Sequence, residues 1–203
     1  MLKIVTEEEF LEISKKTATD LVTSSFNKGT TLDSNTKLVI VGTLTPPTTN
    51  YFYCAPRNKI YGFIDKALDE LEYKDDARLK ALKKGLSQDK YNVLLPDEII
   101  KERVIEIKKI LKKHGIAFLD VMENAIRKNN ISHDDNNIEF FTLAIDDFKK
   151  IDSTATIIAN SRLAEKCVGL MNLGINTRYL PQISFKKGIK EEWIKTIKEA
   201  IQR

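Results

Sequence analysis

LVIVGTLTPPTTNYFYCAPRNKIYGFIDKALDEL, running from Leu38 to Leu71, changes its hydrophobic period once, and that change sets the fold class. Leu38-Val39-Ile40-Val41 is a short apolar run rich in β-branched residues, the pattern of a strand buried on both faces. Gly42 ends it. Thr43 to Asn58 form a loop stiffened by Pro46, Pro47 and Pro56. Beyond the loop, Ile60, Tyr61, Phe63, Ile64, Ala67, Leu68 and Leu71 recur at helical spacing. A buried strand therefore feeds an amphipathic helix through an aromatic loop. In open parallel sheets ligands bind beyond the carboxyl ends of the strands, and this is the longest such loop in the chain.

The alternation continues outward on both sides. Thr6-Glu-Glu-Glu9 is a capping-box pattern ahead of Phe10, Ile13 and Leu21, which predicts an N-terminal helix within about residues 1–30. Asn27 to Asn35, polar and containing Gly29, reads as loop. Asp69 to Gln88 is highly charged and predicts a surface helical segment, broken at Gly85. Pro96-Asp97 opens a helix with Ile100, Val104, Ile107 and Leu111 on its apolar face, closed by Lys112-Lys113-His114-Gly115. Ile116 to Leu119 and Ala155 to Ala159 read as further buried strands, and Ile175 to Leu180 as a short fourth. Thr142 to Ile151 predicts a weaker helix. Asn160-Ser161 starts another, and Ile189, Trp193, Ile197 and Ile201 mark a closing one. Strands alternating with helices imply a single α/β domain over residues 1–203. The expected form is a three-layer sandwich, a four-stranded parallel sheet with helices on both faces.

The bulk composition narrows the function. With 42% hydrophobic and 31% charged residues, the chain has the balance of a soluble globular protein. No apolar run approaches the ~20 residues of a membrane helix. MLKIVTEEEF lacks a basic start followed by an apolar core, so no signal peptide is read. Cys54 and Cys167 have no metal-like spacing and cannot supply the four thiolates of an iron–sulfur cluster, so a reduced, cytoplasmic protein is expected. His114 and His133 read as a helix-terminal cation and a loop residue, not as metal ligands. The net charge of +4 lies entirely after residue 177, where seven basic residues face three acidic ones. Such a segment is either a phosphate-facing edge or a solvated helix face. Neither common glycine-rich phosphate loop occurs, which weighs against an α/β enzyme of free nucleotides.

Gly42-Thr-Leu-Thr-Pro46-Pro47, then Tyr51-Phe-Tyr53-Cys-Ala-Pro56-Arg57-Asn58-Lys-Ile-Tyr61, resemble the first motif of the uracil-DNA glycosylase superfamily, nearest its mismatch-specific and hypoxanthine-type branches. Gly115 to Val121 with Arg127 and Ser132-His-Asp134 looks like the hypoxanthine-type stretch of strand, Asp-Val, Arg and Ser-x-Asp. Asn160 to Ala164 resembles the third-strand turn, and Leu180-Pro181-Gln-Ile-Ser184 the motif that grips DNA. The resemblance covers roughly residues 36–70 and 114–203 as separate short motifs and leaves about residues 72–95 as an insertion. It implies a monofunctional DNA glycosylase of base excision repair. Such an enzyme flips out a deaminated base, of the uracil or hypoxanthine type, and hydrolyses its N-glycosidic bond. The implied partner is DNA carrying a damaged or mismatched base, with no metal, no cofactor, no membrane, and a monomeric enzyme.

On that resemblance Asn58 is the catalytic residue that positions water, since Leu44 or Thr45 stands where the mismatch-specific branch has its asparagine. Tyr53 takes the stacking position against the flipped base. Thr43, Asp120 and Asn160 stand at strand ends where they can bind the base. Pro46, Ser184, Phe185, Lys186 and Lys187 are the expected DNA contacts. Each has a plainer reading. Asn58 suits a helix N-cap, and the two roles are compatible. Of Phe52 and Tyr53 one should be core, because adjacent side chains point apart. Asp120 and Asn160 can both cap the helices expected after them. One departure touches activity. The family's last motif has Ser-Pro, whereas Ser184 precedes Phe185-Lys186-Lys187-Gly188, leaving two lysines to hold phosphate and Phe185 to act as a wedge. The alternative function is a catalytically diverged member that binds DNA or protein.

Overall fold

Every residue from Leu38 to Gly42 is buried, because this strand is paired on both sides and covered on both faces. The computed structural model describes residues 2–16, 21–45, 50–54, 58–87, 95–127, 138–181 and 188–203. The first half of the chain forms β1 (Lys3–Ile4), α1 (Glu7–Lys16), β2 (Leu21–Ser24), a 3-10 turn (Asn27–Gly29), β3 (Leu38–Gly42), α2 (Ile60–Glu70), α3 (Leu79–Leu82) and α4 (Asp97–Lys113). The second half forms β4 (Ile116–Asp120), β5 (Met122–Arg127), β6 (Ile138–Leu143), α5 (Ile145–Phe148), β7 (Thr156–Ala159), α6 (Arg162–Leu170), β8 (Arg178–Tyr179) and α7 (Ile189–Ile201).

The four strands expected from the sequence form one parallel sheet in the order β4-β3-β7-β8. The side-chain alternation of β3 divides the interior. Leu38 and Ile40 face a core built with Ile64 and Leu68 of α2, Ile107 and Leu111 of α4, and Trp193 and Ile197 of α7. Val39 and Val41 face a second core with Cys167 and Val168 of α6 and Phe148 of α5. Helices thus flank the parallel sheet on both faces. No helix among the described residues is long and apolar enough to cross a membrane.

A second sheet, in the order β1-β6-β5-β2, was not legible from the hydrophobic runs. It corrects three expectations. The helix expected over Thr142 to Ile151 shrinks to Ile145–Phe148, because Ile138–Leu143 pairs with β1 and β5 as a strand. Leu21 belongs to β2, antiparallel to β5, and not to the N-terminal helix, Glu7–Lys16. Its capping box forms as read: Thr6 Oγ1 accepts from the Glu9 N–H at 3.2 Å, and Glu9 Oε2 from the Thr6 N–H at 2.9 Å. Finally, Asp120 caps no helix, since Met122 begins β5 one residue later. Met122, Ala125 and Ile126 pack into the interior, with register shifts in the pairing to β6 that hide the alternation.

β4 lies at the edge of its sheet yet is buried throughout. Side chains close that edge. Thr31 Oγ1 donates to the Ile116 carbonyl at 2.6 Å, Thr30 Oγ1 to the Phe118 carbonyl at 2.6 Å, and Asn27 Nδ2 to the Asp120 carbonyl at 2.9 Å. Asn27 Oδ1 also accepts the Asp120 N–H at 2.8 Å, so one amide satisfies both backbone groups of Asp120. These are the alternate residues whose peptide groups point away from β3, the groups an edge strand otherwise leaves open.

The insertion is also more than a charged surface. Among its described residues it is helical only over Leu79–Leu82, where the Asp65 carboxylate of α2 accepts the N–H groups of Leu79 and Lys80 at 2.7 and 2.8 Å. Leu79 and Leu86 reach the core. Asn27→Ala removes a donor and an acceptor from buried backbone and should cost about 2–3 kcal/mol. Urea denaturation monitored by circular dichroism checks this, with an unchanged midpoint contradicting the edge closure.

Candidate functional site

The carboxyl ends of β3, β4 and β7 bring together Gly42 to Thr45, Asp120, and Asn160 with Ser161. Pairing of β3 with β4 runs to the last residue, Gly42 opposite Asp120. There the Asp120 side chain turns back onto the loop, and its Oδ2 accepts the Thr45 N–H at 2.8 Å. Asp120 is 2% exposed and Thr45 6%. A carboxyl group so far from solvent needs such a donor to be tolerated.

Tyr53 approaches the same point from the far end of the loop. A methyl placed on Gly42 would lie 2.9 Å from the Tyr53 hydroxyl and 3.3 Å from Asp120 Oδ1. Gly42 is therefore a matter of space: a side chain there would push the Tyr53 hydroxyl out of its place. The Tyr53 hydroxyl donates weakly to the Ile40 carbonyl at 3.4 Å, and its ring meets Phe118 edge-on at 4.8 Å. Its backbone is left-handed, with φ of 55°, which costs a bulky residue about 1–2 kcal/mol. Phe52 is fully buried and Tyr53 only partly, so Phe52 is the core member of the pair.

Asn58 sits at the entrance to α2. Its Oδ1 accepts the Ile60 N–H at 2.9 Å, satisfying one donor of the first helical turn. The position directly before the helix is Lys59, which makes no side-chain cap, so Asn58 does the capping from one residue further out. Its carbonyl is held by Lys83 Nζ at 2.6 Å. Lys83 belongs to the insertion and is 6% exposed, and burial pushes its amine below the usual lysine range. The middle of the loop is held by the insertion too: the Asn50 N–H and Nδ2 both donate to the Leu86 carbonyl, at 2.9 and 3.2 Å.

On the β7 side the helix cap is Ser161, not Asn160. Ser161 Oγ accepts the Ala164 N–H at 3.0 Å and lies 3.1 Å from Thr43 Oγ1, sharing a hydrogen bond with it. Asn160 is buried, its N–H spent on the Val41 carbonyl. The sequence signal for Ser161 was its place three residues ahead of Ala164 in the apolar helical pattern. No sequence signal marked Lys83 or Asn27. Thr43, Tyr53, Asp120 and Asn160 thus stand at the carboxyl ends of β3, β4 and β7, while Asn58 stands at the start of α2. Pro46, Ser184, Phe185, Lys186 and Lys187 lie outside the described residues, as does His133.

The basic C-terminal segment is partly neutralised. Arg178 pairs with Glu192, Lys195 lies 3.8 Å from Glu199, and Lys198 is 3.0 Å from Glu70 of α2. These contacts favour the solvated-face reading for the outer part of α7, where such pairs contribute little.

No family model and no curated protein matches the chain. A solved structure does: the solution NMR structure of a protein from Methanosarcina acetivorans described, provisionally, as a uracil DNA glycosylase. It is 19% identical, the match covers 90% of this chain and 100% of that one, and the TM-score is 0.56. The fold is uracil-DNA glycosylase-like. The likeness takes in the parallel sheet with its flanking helices.

Burial gives the site's tyrosines a testable pH signature. Desolvation pushes the phenols of Tyr51, Tyr53 and Tyr61 well above their ordinary range, Tyr53 further through Asp120 and the other two through Cys54. Burial likewise pushes the Cys54 thiol up to about 12. A phenol raised in the folded state contributes stability that is complete below its unfolded value of about 10 and is lost as the pH rises above it. Stability should therefore fall from about pH 10 upward, with these three phenols ionising only as the chain unfolds. Absorbance at 295 nm against pH, read beside circular dichroism, checks it; their ionisation in still-folded protein would contradict the burial.

Proposed function

We propose that the chain is a DNA glycosylase that accepts a deaminated base, of the uracil or hypoxanthine type, at the carboxyl edge of β3 and β4 and hydrolyses its N-glycosidic bond. The observation that carries this reading is the meeting of Tyr53 and Asp120 over Gly42. It joins the aromatic loop to the end of β4 where the sequence motifs require a base pocket. The uracil-DNA glycosylase-like fold supports it.

In the reaction the bond from C1′ to the base nitrogen breaks, and the electron pair leaves with the base. Water adds to C1′, and its proton passes to solvent or to the departing base. Asn58 is assigned to that water. Its Oδ1 has two lone pairs, one taken by Ile60, so it can align water with the other. Tyr53 offers the stacking surface, and Thr43, Asp120 and Asn160 the polar contacts to the base edge. Water alignment and base recognition by these groups require no metal or cofactor. The contacts expected with DNA are Ser184, Phe185, Lys186 and Lys187, in an enzyme acting as a cytoplasmic monomer.

A second reading, a diverged member that binds DNA or protein without cutting, draws on one observation. Asn58 Oδ1 is already committed to the start of α2, and a capping role alone would explain it. Two variants separate the readings. Asn58→Ala should lose roughly 10²-fold or more in single-turnover rate on oligonucleotides holding uracil, hypoxanthine or xanthine. Asn58→Asp keeps the cap and supplies a base, so it should retain activity or change substrate range. Equal cutting by both variants and the wild type would reduce Asn58 to a cap, and a wild type that cuts no panel base at high enzyme excess would favour the binding reading.

Phosphate contact is checked separately. Lys186→Ala with Lys187→Ala should lower the slope of log affinity against log salt by about 2 on duplex DNA. An unchanged slope would remove these lysines from the interface.

A further inference from the structure

We infer that Lys83, in the insertion, is the positioning residue of the candidate site: its buried ammonium fixes the peptide of Asn58 and thereby aims the amide that aligns water. The inference rests on the glycosylase reading and adds to it a residue outside the motifs that carry the resemblance.

Two independent grips support it. Lys83 Nζ donates to the Asn58 carbonyl at 2.6 Å, a short charge-assisted bond. Three residues on, the Leu86 carbonyl takes two donors from Asn50. The insertion therefore holds the loop on both sides of Tyr53, at Asn50 and at Asn58. It is itself anchored away from the site. Asp65 captures the N–H groups of Leu79 and Lys80, Arg103 Nη1 donates to the Lys84 carbonyl at 2.7 Å, and Leu79 and Leu86 are buried in the core. Burial of a lysine is costly unless it makes a strong bond, and nothing in the packing of Leu79 and Leu86 requires a cation between them. What the cation adds is a fixed direction for the Asn58 peptide, one residue from the bond that Asn58 Oδ1 makes to Ile60. A displacement of about 1 Å at a group that aligns a reactant is enough to cost up to 10²-fold in rate.

The test uses Lys83→Met, which keeps the bulk of the stem, and Lys83→Gln, which keeps a neutral donor. Amide hydrogen exchange at Ile60 reads the geometry without any substrate. In Lys83→Met, protection at Ile60 should fall by about tenfold while Ile64 and Leu68 of α2 keep theirs. Lys83→Gln should fall between Lys83→Met and the wild type. Single-turnover cutting should drop at least about tenfold in Lys83→Met, while affinity for abasic duplex changes less than about threefold. Unchanged protection at Ile60 in both variants overturns the positioning. Lost protection with wild-type cutting overturns its catalytic consequence. A wild type that cuts no base overturns the glycosylase reading and that consequence together, and leaves the exchange at Ile60 to decide the structural half.

Discussion

The free edge of β4 is closed by side chains rather than by a fifth strand, and the site depends on that closure. Asn27, Thr30 and Thr31 bond to the outward carbonyls of Asp120, Phe118 and Ile116. Without them the end of β4 would carry open peptide groups beside a buried carboxyl. With them Asp120 is fixed at both its N–H and its C=O, and its side chain turns back toward Thr45. Tyr53 comes to the same point, and a side chain at position 42 would displace its hydroxyl. The aromatic loop is thus held in part by the strand end it meets.

A second restraint comes from the opposite side. The insertion grips Asn50 and Asn58, so the loop is suspended between β4 and a segment foreign to the resembling motifs. Rigid support on two sides is what a site needs if it is to hold a flipped base and a water in fixed relation. Tyr53 pays in backbone strain for its place there, a left-handed residue kept by contacts with Phe118 and the β3 backbone.

The parallel sheet was legible because its strands are short apolar runs and its helices have clear 3.6-residue faces. The second sheet was not, because β5 and β6 shift register against each other and β1 is only two residues long. At the candidate site, Asn58, Tyr53, Asp120 and Thr43 could be named from their motifs; the structure brings Thr43, Tyr53 and Asp120 to the carboxyl ends of β3 and β4 and sets Asn58 at the start of α2. Asn160 was named for the base edge with a helix cap as its plainer reading, and that cap is provided by Ser161, one residue nearer the helix. Lys83 and Asn27 could not be found at all. Each acts on backbone groups distant in sequence, and a lysine in a charged segment or an asparagine in a polar loop looks like any solvated residue until its partner is known.

The site's location is tested most directly by titrating a duplex with an abasic-site analogue into isotope-labelled protein and following amide chemical shifts. The largest changes are predicted at Gly42 to Thr45, Tyr53, Asn58, Asp120 and Ser161, on the carboxyl edge of the parallel sheet. Changes confined to the opposite edge, around Asn35, His114 and Gly115, would contradict the assignment of that edge as the DNA-facing one.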